Sequence, residues 1–150
     1  WHFLGNIQSN KLSKIVEYAD IIHSISRYKI YEILVNHLPK ISTSILLQLK
    51  LGSEKTKSGF SENEILDIVT KHDKKSKIKI KGIMVISENN IDSSKIKLQF
   101  QQAQELFEKT KTINKEIEIL SMGMSGDYDE AISCNSNMIR LGRIIFGERK

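Results

Sequence analysis

Short runs of branched apolar residues alternate along this chain with longer stretches in which apolar positions recur every three or four residues. The first kind reads as strand and the second as helix, so the pattern predicts βα units around a parallel sheet. Residues 1–4 read as a strand and 11–19 as a helix. Strand 21–25 comes next, then helix 28–38, where Ile30, Ile33, Leu34, His37 and Leu38 fall on one stripe that Pro39 ends. Residues 44–51 form a third strand and 52–59 a polar loop. Ser61 and Glu64 have the spacing of a capping box, in which hydroxyl and carboxylate satisfy each other's backbone amides, and they start a helix through Lys71. Residues 78–86 are a fourth strand, and the 87–94 loop leads into the longest helix, striped by Ile96, Phe100, Ala103 and Phe107 and ending near Thr110. Strand 117–122, a short helix over 128–133 and strand 138–141, running into Gly142, complete the series. Six such units with right-handed crossovers curl as a barrel but cannot close an eight-stranded one. The expected fold is α/β: a TIM-type (β/α)8 barrel lacking its first two βα units, in one domain over residues 1–150.

Composition agrees with a folded domain. The 150 residues are 39% apolar and 27% charged with 8 Gly and 1 Pro, neither disordered nor fibrous in character. No apolar run reaches the roughly 20 residues that span a bilayer. The start, Trp1-His2-Phe3-Leu4-Gly5, has no signal-peptide pattern, so a cytoplasmic, non-membrane protein is expected. A chain that opens on Trp1 inside a strand also reads as a fragment. Cys134 is the single cysteine, which excludes a disulfide framework and a thiolate metal cluster.

The net charge of +5 raises nucleic acid as a partner. The lysines are scattered, however, and the dense run of Lys71, Lys74, Lys75, Lys77, Lys79 and Lys81 has acids nearby and no interleaved aromatic to stack a base. A solvated face, and no nucleic acid, is the expectation. His2, His23, His37 and His72 show no metal-ligand spacing, so no metal is expected. His37 on an apolar stripe reads as a packed histidine.

Candidate chemistry gathers after the last two strands, where barrels of this kind often hold phosphate. Gly123-Met124-Ser125-Gly126-Asp127 offers glycines that let backbone amides turn toward an anion, and a hydroxyl. Arg140-Leu141-Gly142-Arg143 follows the next strand, with Gly142 permitting close approach of a ligand. The pair reads as a phosphate cradle. Asp127, Asp129 and Glu130 read as negative charge at a helix N-terminus.

Five blocks then resemble one family in order and spacing: W-H-F-L-G-N-I-Q-S-N-K (1–11), S-E-K-T-K-S-G (53–59), K-G-I-M (81–84), L-S-M-G-M-S-G-D (120–127) and I-R-L-G-R-I-I-F-G (139–147). They look like the signatures of the pyridoxal phosphate (PLP) homeostasis proteins, which resemble the N-terminal barrel of alanine racemase. The resemblance implies PLP as cofactor. It places its phosphate on Ser125, on the backbone of Met124 and Gly126, and on that of Gly142 and Arg143. It also sets Arg140 against the pyridine nitrogen. A guanidinium there only donates, which keeps the ring nitrogen unprotonated and the cofactor a poorer electron sink. Met84 would pack near the ring, and His2 would lie on the cofactor side. Glu54, Lys57 and Gly59 match a loop motif that orders itself or touches a ligand.

Three departures stand out. The family's PLP-binding lysine lies upstream of the 1–11 block and has no counterpart in these residues. Arg143 replaces a usual Ser or Thr. Lys50 replaces a usual Asn, and strand alternation puts Gln48 and Lys50 on the face opposite Leu47, Leu49 and Leu51, making Lys50 a substitute amine or simply a lysine at the barrel mouth.

The function implied is a nonenzymatic PLP carrier and buffer, monomeric or weakly dimeric, that serves PLP-dependent acceptor enzymes. The rival is a PLP-dependent racemase. Such an enzyme needs a second acid or base, usually tyrosine, at a strand end, whereas Tyr18, Tyr28, Tyr31 and Tyr128 fall in predicted helices or loops. No catalytic residue is therefore assigned.

Overall fold

The computed structural model describes residues 1–37, 42–52, 58–88 and 92–148. Among them, six strands form one all-parallel sheet in sequential order. They are β1 (His2–Phe3), β2 (Ile21–Ile25), β3 (Thr43–Leu49), β4 (Ile78–Val85), β5 (Ile119–Met124) and β6 (Met138–Arg140). The helices are α1 (Leu12–Tyr18), α2 (Tyr28–Glu32), α3 (Glu62–Lys71), α4 (Ser93–Ile113), α5 (Tyr128–Ser133) and α6 (Arg143–Phe146). A 3-10 turn, Ser9–Lys11, precedes α1, and α2 widens into a π-turn over Ile33–His37.

A sequential order without reversal is barrel topology, and the side chains show that the sheet curls. His23 Nδ1 on β2 lies 3.1 Å from Ser121 Oγ on β5. In a flat sheet strands three places apart are separated by about 14 Å. The two side chains meet only because the sheet bends round and its inner faces oppose each other across a lumen.

The outer face carries the main core. Ile22, Ile45, Leu47, Ile83, Val85 and Leu120 project from the strands and pack under α1 to α5 through Leu12, Ile30, Ile65, Phe100 and Ala131, all 1% exposed or less. Leu46 and Met84 are just as buried yet stand apart from that cluster, inside the curl. Met84 owes its inward position to a bulge. Ile45 pairs with Ile80 but Leu46 pairs with Gly82, so Lys81 is the extra residue and the alternation of β4 flips there. Ile78 and Ile80 face the helices before the flip, and Gly82 and Met84 face the lumen after it.

The capping box at α3 is present in full: Ser61 N donates to Glu64 Oε2 at 2.7 Å and Glu64 N donates to Ser61 Oγ at 3.3 Å. Most boundaries shift by a residue or two from the sequence reading, and the shifts at α4 and β5 are the ones that shape the site. Helix α4 runs to Ile113, and the chain then makes a turn in which Asn114 accepts from the amides of Glu116 and Ile117. Ile117 is buried within that connection instead of opening the strand, so β5 starts and ends two residues later and takes in Gly123 and Met124. Leu38, Pro39, Glu54 and Lys57 lie outside the described residues.

Gly82 shows how closely β4 and β5 approach. A Cβ added there would stand 1.8 Å from the carbonyl oxygen of Ile119. Gly82→Ala should therefore part the two strands and cost roughly 3 kcal/mol or more in urea unfolding. A loss under about 1 kcal/mol would show that the strands yield without consequence.

Candidate cofactor pocket at the strand ends

Beyond the C-terminal ends of the strands lies a cavity of about 480 Å³ bordered by Asn6, Ser24, Gln48, Met84, Met124 and Arg140. A second cleft, with His2, His23, Met138 and Gly142 on its walls, adjoins it, and Arg140 borders both. A larger groove of about 1050 Å³ lies between β1 and α1, away from the strand ends, and is lined by Trp1, Phe3, Lys11, Lys14, Ile15 and Tyr18.

Arg140 is the centre of the pocket. It closes β6, and its guanidinium turns into the lumen, where Nη1 donates to Ser121 O and Ser121 Oγ, both at 2.9 Å, and Nη2 donates to Val85 O at 2.8 Å. Burial pulls its pKa down, while the carboxylate of Asp127 opposes that shift. Ser121 passes the contact on to His23, whose Nε2 lies 3.0 Å from His2 Nδ1. His23 is 1% exposed, and burial, followed by the neighbouring His2 and Arg140, lowers its pKa to about 4. The imidazole is neutral in the fold.

The two turns after β5 and β6 meet at the rim. Ile144 N, in the first turn of α6, donates to Ser125 Oγ at 3.4 Å. A Cβ on Gly126 would come within 3.9 Å of an Arg143 terminal nitrogen, while one on Gly142 would have nothing within 4 Å. Among the described residues the amide hydrogens of Gly126, Gly142 and Arg143 have no acceptor. A hydroxyl and three such amides on two turns that meet, with the Arg143 guanidinium beside the Gly126 turn, is a donor set that fits a phosphate. A guanidinium with an unengaged Nε–H in an adjoining, largely apolar cavity fits the ring nitrogen of a pyridine.

Not every residue singled out in the sequence plays the part expected of it. The Met124 amide is engaged, donating to Asp127 Oδ1 at 2.6 Å, so it is the Met124 side chain that faces the cavity. Asp127 is 6% exposed and also accepts from Ser87 Oγ, so it braces the β4 and β5 ends in addition to preceding α5. Arg143 is exposed and its guanidinium lies over the Gly126 turn. Met84 lines the cavity. His2 is exposed, stands on the wall of the adjoining cleft and lies within hydrogen-bond distance of His23. Gln48 borders the cavity and donates to Ser58 O, whereas Lys50 lies just past β3 and does not line it. His23, Ser121 and Asp127 were given no pocket role on sequence. The signal for the first two was polar residues within apolar strands, His23 and Ser24 in I-I-H-S-I and Ser121 in I-L-S-M.

His72 is structural: Nε2 donates to Ile78 O at 2.8 Å, so Nδ1 accepts from Tyr31. Among the described residues no group of three or more His, Cys, Asp or Glu could hold a metal ion. No helix among them is long and apolar enough to cross a membrane.

A curled parallel sheet with this rim defines a class, and comparison with known proteins agrees. The family model described as alanine racemase, N-terminal domain, matches residues 1–150, and the chain belongs to that family, within its pyridoxal phosphate homeostasis protein branch. It is 35% identical over 153 residues to the pyridoxal phosphate homeostasis protein of Pasteurella multocida, covering 99% of this chain and 66% of the relative. To that of Synechocystis sp. it is 36% identical over 156 residues, covering 99% and 70%. PipY of Synechococcus elongatus, solved without PLP, superposes with a TM-score of 0.89 at 30% identity, over 98% of this chain and 70% of PipY. PipY with PLP bound gives 0.86 over the same shares. The chain thus spans about two thirds of the length of these relatives.

Neutral His23 has a testable consequence. Its folded pKa lies below the unfolded value, so below about pH 6.5 the unfolded chain takes up a proton that the folded chain refuses until about pH 4. Stability is full above that window and falls as pH drops through it, on the order of 1–2 kcal/mol by pH 5. Urea midpoints at pH 7 and pH 5 should differ more for the wild type than for His23→Gln. Equal differences would mean that His23 is not held neutral.

Proposed function

We propose that the protein to which this chain belongs is a nonenzymatic carrier and buffer of PLP, and that this chain supplies the phosphate-binding end and the ring-nitrogen donor. The convergence of the Ser125 hydroxyl with the amides of Gly126, Gly142 and Arg143 beside a buried guanidinium carries the reading. The names of the relatives and the PLP-bound PipY structure support it.

The residues bind and orient. The rim donors hold a phosphate dianion, Met84 and Met124 present apolar surface to a ring, and Arg140 offers an N–H to the ring nitrogen. When bound, PLP supplies a reactive aldehyde. Because Arg140 donates and does not accept, it leaves the ring nitrogen unprotonated, which suits storage better than carbanion chemistry. The family's lysine is assigned to residues upstream of Trp1, in two βα units that complete the barrel. Lys50, away from the cavity wall, is a poor substitute.

That no tyrosine of the described residues borders either cavity supports a carrier over a racemase. Tyr18, Tyr28, Tyr31 and Tyr128 all lie on helices, and none borders the strand-end cavity or its adjoining cleft. The lysine run is partly neutralised, since Lys71 pairs with Asp67, Lys79 with Glu116 and Lys81 with Glu118, which supports a solvated face over a nucleic-acid surface. We also read the carrier as cytoplasmic, a monomer or weak dimer, with PLP-dependent enzymes as its acceptors.

Pyridoxine 5′-phosphate is the probe of choice, because it has no aldehyde and cannot bond to any of the chain's lysines. Gly142 has φ −119° and open space where a Cβ would stand, so Gly142→Leu should fold normally while its side chain fills the rim. Its dissociation constant for the probe should rise tenfold or more, the equivalent of about 1.4 kcal/mol. Unchanged binding by Gly142→Leu would refute the cradle. Arg143→Ser should change it by no more than about threefold, since backbone donors remain. A hundredfold loss there would show that the Arg143 side chain is essential.

A further inference from the structure

The lumenal chain of polar groups has a fixed direction. Arg140 Nη1 only donates, so Ser121 Oγ accepts from it. Ser121 is fully buried, and among the described residues its hydroxyl hydrogen has a single acceptor within reach, Nδ1 of His23. With Nδ1 accepting, the hydrogen of the neutral imidazole sits on Nε2 and is donated to Nδ1 of His2. The opposite order would put two donors onto Ser121 Oγ and leave its own hydrogen orphaned in the interior, at the full desolvation cost of that group. Donation therefore runs from Arg140 through Ser121 and His23 to His2.

We propose that Ser121 and His23 are positioning residues for the pyridine nitrogen of bound PLP, acting through Arg140. The inference rests on the pocket assignment above and deepens it. Ser121 holds Nη1 of Arg140 by two of its oxygens while Val85 O holds Nη2, and the Nε–H is left without an acceptor among the described residues. His23 keeps the Ser121 hydroxyl hydrogen turned away from Arg140, so that Ser121 Oγ presents lone pairs to the guanidinium at all times. Neither residue lines the strand-end cavity, and His23 borders only the adjoining cleft. They decide instead where the remaining donor of Arg140 lies.

The test uses pyridoxine 5′-phosphate, whose near-ultraviolet absorption differs between ring-protonated and unprotonated forms. The bound wild type should show the unprotonated form. In Ser121→Ala the dissociation constant should rise about tenfold and the spectrum should move toward the protonated form. Inorganic phosphate, which reports on the rim alone, should bind within about twofold of wild type. Ser121→Thr, which keeps the hydroxyl, should restore both properties. A folded Ser121→Ala with the wild-type spectrum and affinity overturns the proposal and leaves the pocket assignment standing. A wild type that binds neither ligand overturns both. Should Ser121→Ala fail to fold, the wild type alone decides: ¹⁵N spectra must show the Nε2–H tautomer of His23, and the Nδ1–H tautomer would overturn the proposal.

Discussion

A guanidinium drawn into the interior of a small sheet has to find acceptors there, and the need to satisfy Arg140 ties the strand ends of this protein together. Its partners are a carbonyl on β4 and a carbonyl and hydroxyl on β5, while its own backbone closes β6. Three strands are thus locked at one height. The buried polar chain continues to β2 and β1 through His23 and His2, bridging the lumen where the sheet would otherwise lie open. The curl of the sheet brings these groups within reach of one another, and their hydrogen bonds form the floor of the pocket.

The rim follows from that lock. Holding the ends of β5 and β6 level brings the turns after them side by side, and glycine at 126 and 142 keeps side chains out of the space they share. Asp127, bonded to Ser87 and to the Met124 amide, ties the β4 end into the same arrangement. The result pairs an anion-binding rim of backbone donors, with Arg143 beside it, with a cationic interior donor, an arrangement suited to a molecule with a phosphate at one end and an aromatic nitrogen at the other.

Much of this was legible in the sequence. Strand 21–25 and helix 128–133 were read to the residue because apolar period, turn residues and acidic first turns agree there. That the turns after the last two strands lie side by side was legible because glycine and serine after consecutive strands restrict what those turns can be. Other features were hidden for physical reasons. The inward side of Met84 was expected, but the reason for it was not legible: Lys81 is an extra residue in β4, and a bulge leaves no mark in an apolar run. Ile117 looks like strand by composition but packs in a connection. His23 and Ser121 belong to strands three places apart, so their contact depends on sheet curvature, which no local pattern encodes. The engagement of the Met124 amide depends likewise on where Asp127 folds back.

The binding assignment comes down to where a phosphate lands on this surface. Amide chemical shifts followed by ¹H–¹⁵N spectroscopy during titration with pyridoxine 5′-phosphate address that directly. The largest changes should fall on Gly126, Gly142 and Arg143, with smaller ones at Arg140 and Met84. Changes confined to the β1–α1 groove around Trp1 and Tyr18, or to the Lys74–Lys81 surface, would contradict it.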